Sequence, residues 1–243
     1  MRSSSLARRF DITTDYGPLQ AEGRTMLATR LQEVGLNVGK GAASAVKDPG
    51  ATAKGMAGGV SSTATVGNLV WSQDPEALLK GNQQKLAELG VKPETIKKLY
   101  SSKGFSLSLH TRLAAALRAV NVPGCADYVE TAADADTERE AVFFVESAEM
   151  LAHFHEAESV TALLPDSRGA VAKTKDGRAV VLLPVDWVGW TQPYDKALGE
   201  VTQRSKSELK ATALELRTSA TLSAAAKQDT SARGWKVDKV PAS

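Results

Sequence analysis

The chain has 243 residues, of which 42% are hydrophobic and 24% are charged, a composition that is ordinary for a globular protein of one large or two small domains. The net charge of +2 provides no strong overall field for a nucleic acid partner. The single cysteine excludes an intrachain disulfide and a cysteine-based zinc site.

The N-terminal region, residues 1–72, is predicted to hold one long helix and a connector. It starts with a basic, polar tail that lacks the apolar stretch of a complete signal peptide. Apolar residues then recur at helical spacing from Gly17 to Val46, and the helix should end before Pro49. Residues 50–72 are rich in Gly, Ala, Ser and Thr, which predicts a connector.

Within this region, residues 34–60 allow several interpretations. A phosphate-binding loop needs four residues between its first glycine and a Gly-Lys pair that Ser or Thr follows. Here only three residues separate Gly35 from Gly39, and Lys40 is followed by Gly41, so this interpretation is disfavoured. Small residues four apart could let another helix or a membrane surface approach closely. Because bulky side chains are scarce, we favour a mobile connector over both.

Residues 73–164 are predicted to form a helical core. Pro75 and Pro93 stand at positions typical of the first turn of a helix. Ser106 or Ser108 can cap the next helix, because a serine oxygen accepts a hydrogen bond from a backbone N–H of the first turn. The segment is expected to fold as a small bundle or an irregular helical array.

The clearest helix spans residues 137–158. It begins with a capping box formed by Thr137 and Glu140. Most of its circumference is apolar, which is typical of a helix at the centre of a core. Its continuous apolar face is predicted to comprise Ala141, Phe144, Val145, Ala148, Leu151, Ala152 and His155.

The C-terminal part, residues 165–243, is predicted to mix strands and helices. Asp176-Gly177 lies between two β-favouring runs and predicts a hairpin. Residues 194–217 return to a helical pattern, although 214–217 alternate and fit a strand equally well. A short helix and a final strand, WKVDKV, follow. The fold class is therefore predicted to be α+β and mainly helical.

The sequence AHFHEAE draws attention to a metal site. Glu149 and His153 lie four residues apart on one helix edge and could bind one metal ion together. The zincin spacing, however, needs a histidine where Ser159 stands. His110 is the only histidine left for a third ligand, because His155 lies on the apolar face. We favour a solvated acidic edge with a helical Glu–His pair and no metal.

Other side chains allow a structural and a functional interpretation. Cys125 could pair with a histidine as a nucleophile, but a small buried side chain is the favoured interpretation. No G-x-S-x-G elbow is present. Trp187, Trp190 and Trp235 are predicted to be aromatic anchors, either in the core or in an interaction patch.

Several segments together resemble a group of uncharacterised, exported bacterial proteins with no established function. They are YGPLQAEGRTMLATRLQEV, VKDPGATAKGMAGGV, EREAVFFVESAEMLAHFH, DGRAVVLLPVDWVGWT and LELRTSATLSAAAKQDTSARGWKV. The resemblance covers most of the chain and implies a setting in the cell envelope or periplasm, but it implies no catalytic residue. We expect a non-enzymatic protein without a cofactor that acts through protein–protein or membrane-surface contacts. The alternative is a metal-dependent enzyme with a site around Glu149 and His153.

Overall fold

A computed structural model describes residues 75–240 of the chain. The predicted long N-terminal helix, the stretch 34–60 and the connector 50–72 lie outside these residues. The helices are α1 (Pro75–Glu88), α2 (Pro93–Ser101), α3 (Leu107–Val120), α4 (Cys125–Ala132), α5 (Glu138–Ala157), α6 (Gln192–Ser207) and α7 (Ala224–Ala232). The strands are β1 (Val160–Leu163), β2 (Ala170–Thr174), β3 (Arg178–Leu183), β4 (Trp187–Val188), β5 (Ala213–Thr218), β6 (Thr221–Leu222) and β7 (Trp235–Lys239).

The helices begin where the sequence predicts. The Ser106 side chain accepts a hydrogen bond from the Leu109 amide at the start of α3. At the start of α5, Thr137 accepts from the Glu140 amide and the Glu140 carboxylate accepts from the Thr137 amide. These bonds satisfy amides that have no partner within the helix, so the capping box is confirmed.

Helix α5 lies at the centre of the helical core. Phe144 is 8% exposed, and its ring meets the buried Tyr128 ring edge-on with centroids 5.8 Å apart. The Tyr128 hydroxyl donates to the Phe144 carbonyl at 2.8 Å, which ties α4 to α5. His155 is half-buried and its Nδ1 accepts from the Val160 amide at 3.1 Å. Cys125 is buried, as predicted.

A five-stranded mixed sheet in the order β1-β2-β3-β5-β7 forms the C-terminal part. Strand β2 pairs antiparallel with both β1 and β3, whereas β5 pairs in parallel with both β3 and β7. The hairpin predicted at Asp176-Gly177 joins β2 to β3, and Gly177 adopts a φ of 88°, which favours glycine. Strand β1 belongs to this sheet although it lies within residues 73–164.

The two faces of the sheet pack against different helices. Side chains of successive strand residues point to opposite faces. The α5 face of β1, β2 and β3 carries Val160, Leu163, Ala170, Ala172, Val180 and Leu182, which join the helical core. The opposite face carries Val171, Ala179, Leu214, Leu216 and Trp235, which pack with Leu198 of α6.

The segment predicted as one helix over residues 194–217 contains two elements. Helix α6 ends at Ser207, and Lys210 adopts a left-handed φ of 53° that a helix cannot continue through. Residues 214–217 belong to β5, so the alternating pattern indicated the strand correctly. Pairing with β3 and β7 on both sides stabilises the extended backbone there. The predicted final strand, β7, is also present.

Candidate functional site

Glu149, one of the two candidate metal ligands, forms an ion pair with Arg112 of α3. The Arg112 Nε donates to one Glu149 oxygen at 2.8 Å and Nη2 donates to the other at 2.6 Å. Both side chains are largely shielded from solvent, with 20% and 26% exposure. A metal ion at Glu149 would have to displace this bidentate interaction with Arg112.

His153 does not lie in a cluster of potential metal ligands. Its side chain is 88% exposed, and the nearest carboxylate oxygen, from Glu156, lies 3.7 Å away. His110 is buried between the rings of Tyr100 and Phe105 and its Nε2 lies 3.2 Å from the Leu99 carbonyl. Within residues 75–240, no cluster of three or more His, Cys, Asp or Glu side chains is arranged to hold a metal ion.

A ring of alternating charges lies where the end of α5 meets the sheet. Arg178 of β3 and Arg217 of β5 each bind both Glu158 and the buried Glu215. The Arg217 guanidinium also lies over the Phe154 ring, 4.6 Å from its centre. The ring therefore connects the C-terminus of α5 to two parallel strands.

The ring has little capacity left to bind a ligand. All three nitrogens of Arg178 donate to carboxylates, those of Glu158, Glu215 and Asp176. Burial raises the pKa of Glu215, but hydrogen bonds from Arg217 and Arg178 outweigh burial and hold this pKa below its usual value. The adjacent hollow of about 220 Å³ is lined by Glu158, Ser159, Thr174, Lys175, Asp176 and Arg178. We interpret the ring as structural, because an incoming anion would have to displace a carboxylate.

The loop of residues 184–191, here called the Trp187 loop, follows β3 and contributes one strand to a separate two-stranded sheet. Within it β4 pairs in parallel with β6, which follows β5. Pro184 interrupts β3, and hydroxyl groups fill the gap: Thr218 donates to the Leu183 carbonyl at 2.7 Å and Ser219 to the Val185 carbonyl at 3.2 Å. These bonds connect the loop to the segment that follows β5.

The three tryptophans predicted as anchors have different environments. Trp235 is 2% exposed and donates from Nε1 to Thr202 at 2.8 Å. Trp190 is half-buried beneath the Arg233 guanidinium, 5.4 Å from the ring centre. Trp187 is 48% exposed, and its indole lies over Gly189, where any side chain would collide with the ring. The core interpretation is thus right for Trp235 and wrong for Trp187.

The residue before Trp187, Asp186, lies near a carboxylate of α5. It is close enough to Glu146 to influence the titration of that side chain. Burial raises the pKa of Glu146, Arg112 opposes this shift, and repulsion from Glu149 and Asp186 raises the pKa further. Asp186 of the Trp187 loop thus lies within electrostatic range of the Arg112–Glu149 pair's neighbour on α5.

We expect opposite effects from neutralising the two neighbouring glutamates of α5. Glu149→Gln should lower the free energy of unfolding by about 1–2 kcal/mol at neutral pH, because it weakens the charged hydrogen bonds from Arg112. Glu146→Gln should raise it by up to about 0.5 kcal/mol, since it removes a poorly solvated charge.

The pH dependence checks the assignment for Glu146. Because its folded-state pKa is raised above the ordinary 4.5, the folded protein binds this proton more tightly than the unfolded chain. The gain from Glu146→Gln should therefore shrink as pH falls through the raised folded-state value, and it should be absent below 4.5. Urea titrations at neutral and acidic pH measure this difference, and a constant gain would contradict the prediction.

The chain matches no protein-family model, and comparison with curated proteins and with solved structures finds no similar protein. Sequence reasoning missed the charged ring and the Arg112 partner of Glu149. One signal was available: the alternation in LELR places Glu215 and Arg217 on one face of a strand. The partners from α5 and β3 join them only through tertiary packing.

Proposed function

We propose that this chain is a non-enzymatic protein of the bacterial cell envelope that binds another protein through the Trp187 loop. The observation that supports this proposal best is the half-exposed Trp187 on a loop whose backbone is paired with the β5–β6 segment. Exposed tryptophans on rigid elements are typical anchors of protein interfaces, because they bury a large area and lose little conformational entropy.

The position of the loop also supports a binding role. In parallel sheets, ligands meet the loops that follow the C-terminal ends of the strands. The Trp187 loop follows β3, and the β5–β6 connection lies beside it. Its backbone is fixed by pairing, with the Thr221 amide donating to the Asp186 carbonyl and the Ser223 amide donating to the Val188 carbonyl, each at 2.9 Å. A partner would therefore meet a preformed surface.

The charges favour a protein partner over a lipid surface. Asp186, next to Trp187 in the chain, and Glu146, whose titration Asp186 influences, offer an anionic headgroup no attraction. A partner that places a lysine or arginine next to an apolar side chain complements a tryptophan that follows an aspartate. No helix within residues 75–240 is long and apolar enough to cross a membrane. The envelope location rests on the resemblance described above.

Site-specific photocrosslinking tests the proposal in the organism that encodes the chain. A photoreactive phenylalanine analogue at position 187 should give a discrete protein adduct, which mass spectrometry can identify. The same analogue at Leu79, which is 38% exposed on α1, is the matched control and should not. With the identified partner, Trp187→Ala should weaken binding by about 2 kcal/mol or more, as expected for an interface anchor, and Leu79→Ala should leave it unchanged.

Vesicles provide the opposing test. Mixing the full chain with vesicles of anionic phospholipid should leave the tryptophan emission unshifted. A blue shift that is lost in Trp187→Phe would show that the loop enters a lipid surface. That result, or the absence of any adduct at position 187, would contradict the proposal of a protein partner.

A further inference from the structure

Strand β7 forms one edge of the five-stranded sheet. It pairs with β5 on one side, and no backbone hydrogen bond from the described residues reaches its other side. Such an edge presents a row of N–H and C=O groups that can pair with a further strand. The pairing with β5 determines which residues present these groups.

The ladder with β5 fixes the direction of each peptide group. The Val240 amide donates to the Thr218 carbonyl at 3.0 Å, so the backbone groups of Val240 face β5. Backbone groups of successive strand residues point to alternate sides. Asp238 and Lys236 therefore also face β5. The outer edge is formed by the N–H and C=O groups of Trp235, Val237 and Lys239.

The side chains of β7 are complementary to those of a second, antiparallel copy of the same strand. If two copies pair about Val237, Lys236 of each lies opposite Asp238 of the other, and two-fold symmetry repeats this contact. Opposite charges in such cross-strand positions stabilise the pair. Asp238 lies 3.8 Å from Arg217, but its side chain remains 43% exposed and can meet a lysine.

Registers centred on the residues next to Val237 bring like charges together. A centre on Asp238 places this carboxylate opposite itself, and a centre on Lys236 does the same for the lysine. Like charges directly opposite each other destabilise a pair.

The backbone selects the same register as the charges. Because Val237 presents its N–H and C=O outward, the pair of Val237 residues can exchange two hydrogen bonds. Lys236 and Asp238 then occupy the position without hydrogen bonds, where opposite Cα atoms approach to about 4.5 Å and side chains are closest. We propose that β7 pairs antiparallel with β7 of a second copy of this chain, in register about Val237, so that two five-stranded sheets join into one.

Sedimentation velocity of the full chain over a concentration series tests the association. The wild-type sedimentation coefficient should rise with concentration. Val237→Pro removes the outward N–H, and it breaks no bond to β5 because that amide faces away from β5. It should weaken the association by about tenfold or more, since proline blocks strand pairing at an edge. A wild-type chain that stays monomeric, as lysines on edge strands often ensure, would overturn the proposal.

Charge reversal and cysteine pairing test the register. Lys236→Glu and Asp238→Lys should each weaken association, and the double variant should restore it. Under mild oxidation, a mixture of the Lys236→Cys and Asp238→Cys variants should form a mixed disulfide, because only opposite positions bring Cα atoms within about 7 Å. Neither variant alone should cross-link, since the native Cys125 is buried. Equal cross-linking within single variants, or association unaffected by Val237→Pro, would overturn the proposed pairing.

Discussion

Phe144→Ala should lower the free energy of unfolding by about 3–5 kcal/mol, the usual cost of removing a buried phenylalanine ring. Phe144 is 8% exposed and contacts the rings of Tyr128 and Phe143. The cavity would open where α4 meets α5. The hydrogen bond from the Tyr128 hydroxyl ends on the Phe144 backbone and survives the substitution. The loss of unfolding free energy therefore reports the packing of the ring and does not include a lost hydrogen bond. Urea-induced unfolding followed by circular dichroism measures it.

Phe143→Ala is the matched control. It removes the same ring one residue earlier on α5, from a half-buried position where the ring edge lies 3.5 Å from the place a side chain on Gly169 would occupy. The loss should be clearly smaller than for Phe144, because less area leaves the interior. A loss under about 1 kcal/mol for Phe144→Ala would show that α5 is not central to the core.

The helical core could be predicted because its signals are local. The Thr137 and Glu140 capping box, the serine cap at Ser106 and the hairpin at Asp176-Gly177 each depend on a few neighbouring residues. Residues 214–217 were ambiguous because four residues can alternate in a strand or lie on a helix end. Residues 214–217 form a strand because they pair with β3 and β7 on either side. A pattern of four residues does not reveal such tertiary contacts.

The site could not be predicted in the same way. Glu149 was singled out for its distance from His153 along one helix, whereas its actual partner, Arg112, lies 37 residues away on α3. Trp187 is exposed because Pro184 interrupts β3 and turns the following residues into a separate ladder with β6. Aromatic character alone does not distinguish Trp187 from the buried Trp235, since burial depends on the face that each strand presents.

The second large effect is expected at Glu215, whose side chain is 3% exposed between two arginines. Glu215→Ala should lower the free energy of unfolding by about 2–4 kcal/mol, because it removes charged hydrogen bonds from both Arg178 and Arg217 to a buried carboxylate. Each arginine keeps its bond to Glu158. Asp238→Ala is the control at concentrations too low for self-association. Asp238 is 43% exposed and lies 3.8 Å from Arg217, and such a pair contributes about 1 kcal/mol or less.

The pH dependence of Glu215→Gln separates the charge of this residue from its packing. The pKa of Glu215 is held below the ordinary 4.5 in the folded protein. Stabilisation by its charge is therefore fully present above 4.5 and is lost as pH falls through the lower, folded-state value. The destabilisation by Glu215→Gln should shrink over that range in urea titrations. The stability gained by Glu146→Gln is absent below 4.5. Acid should therefore remove the stabilising effect of the Glu215 charge and the destabilising effect of the Glu146 charge. A destabilisation by Glu215→Gln that stays constant into strong acid would show that the loss comes from the amide group that glutamine introduces and not from the missing charge.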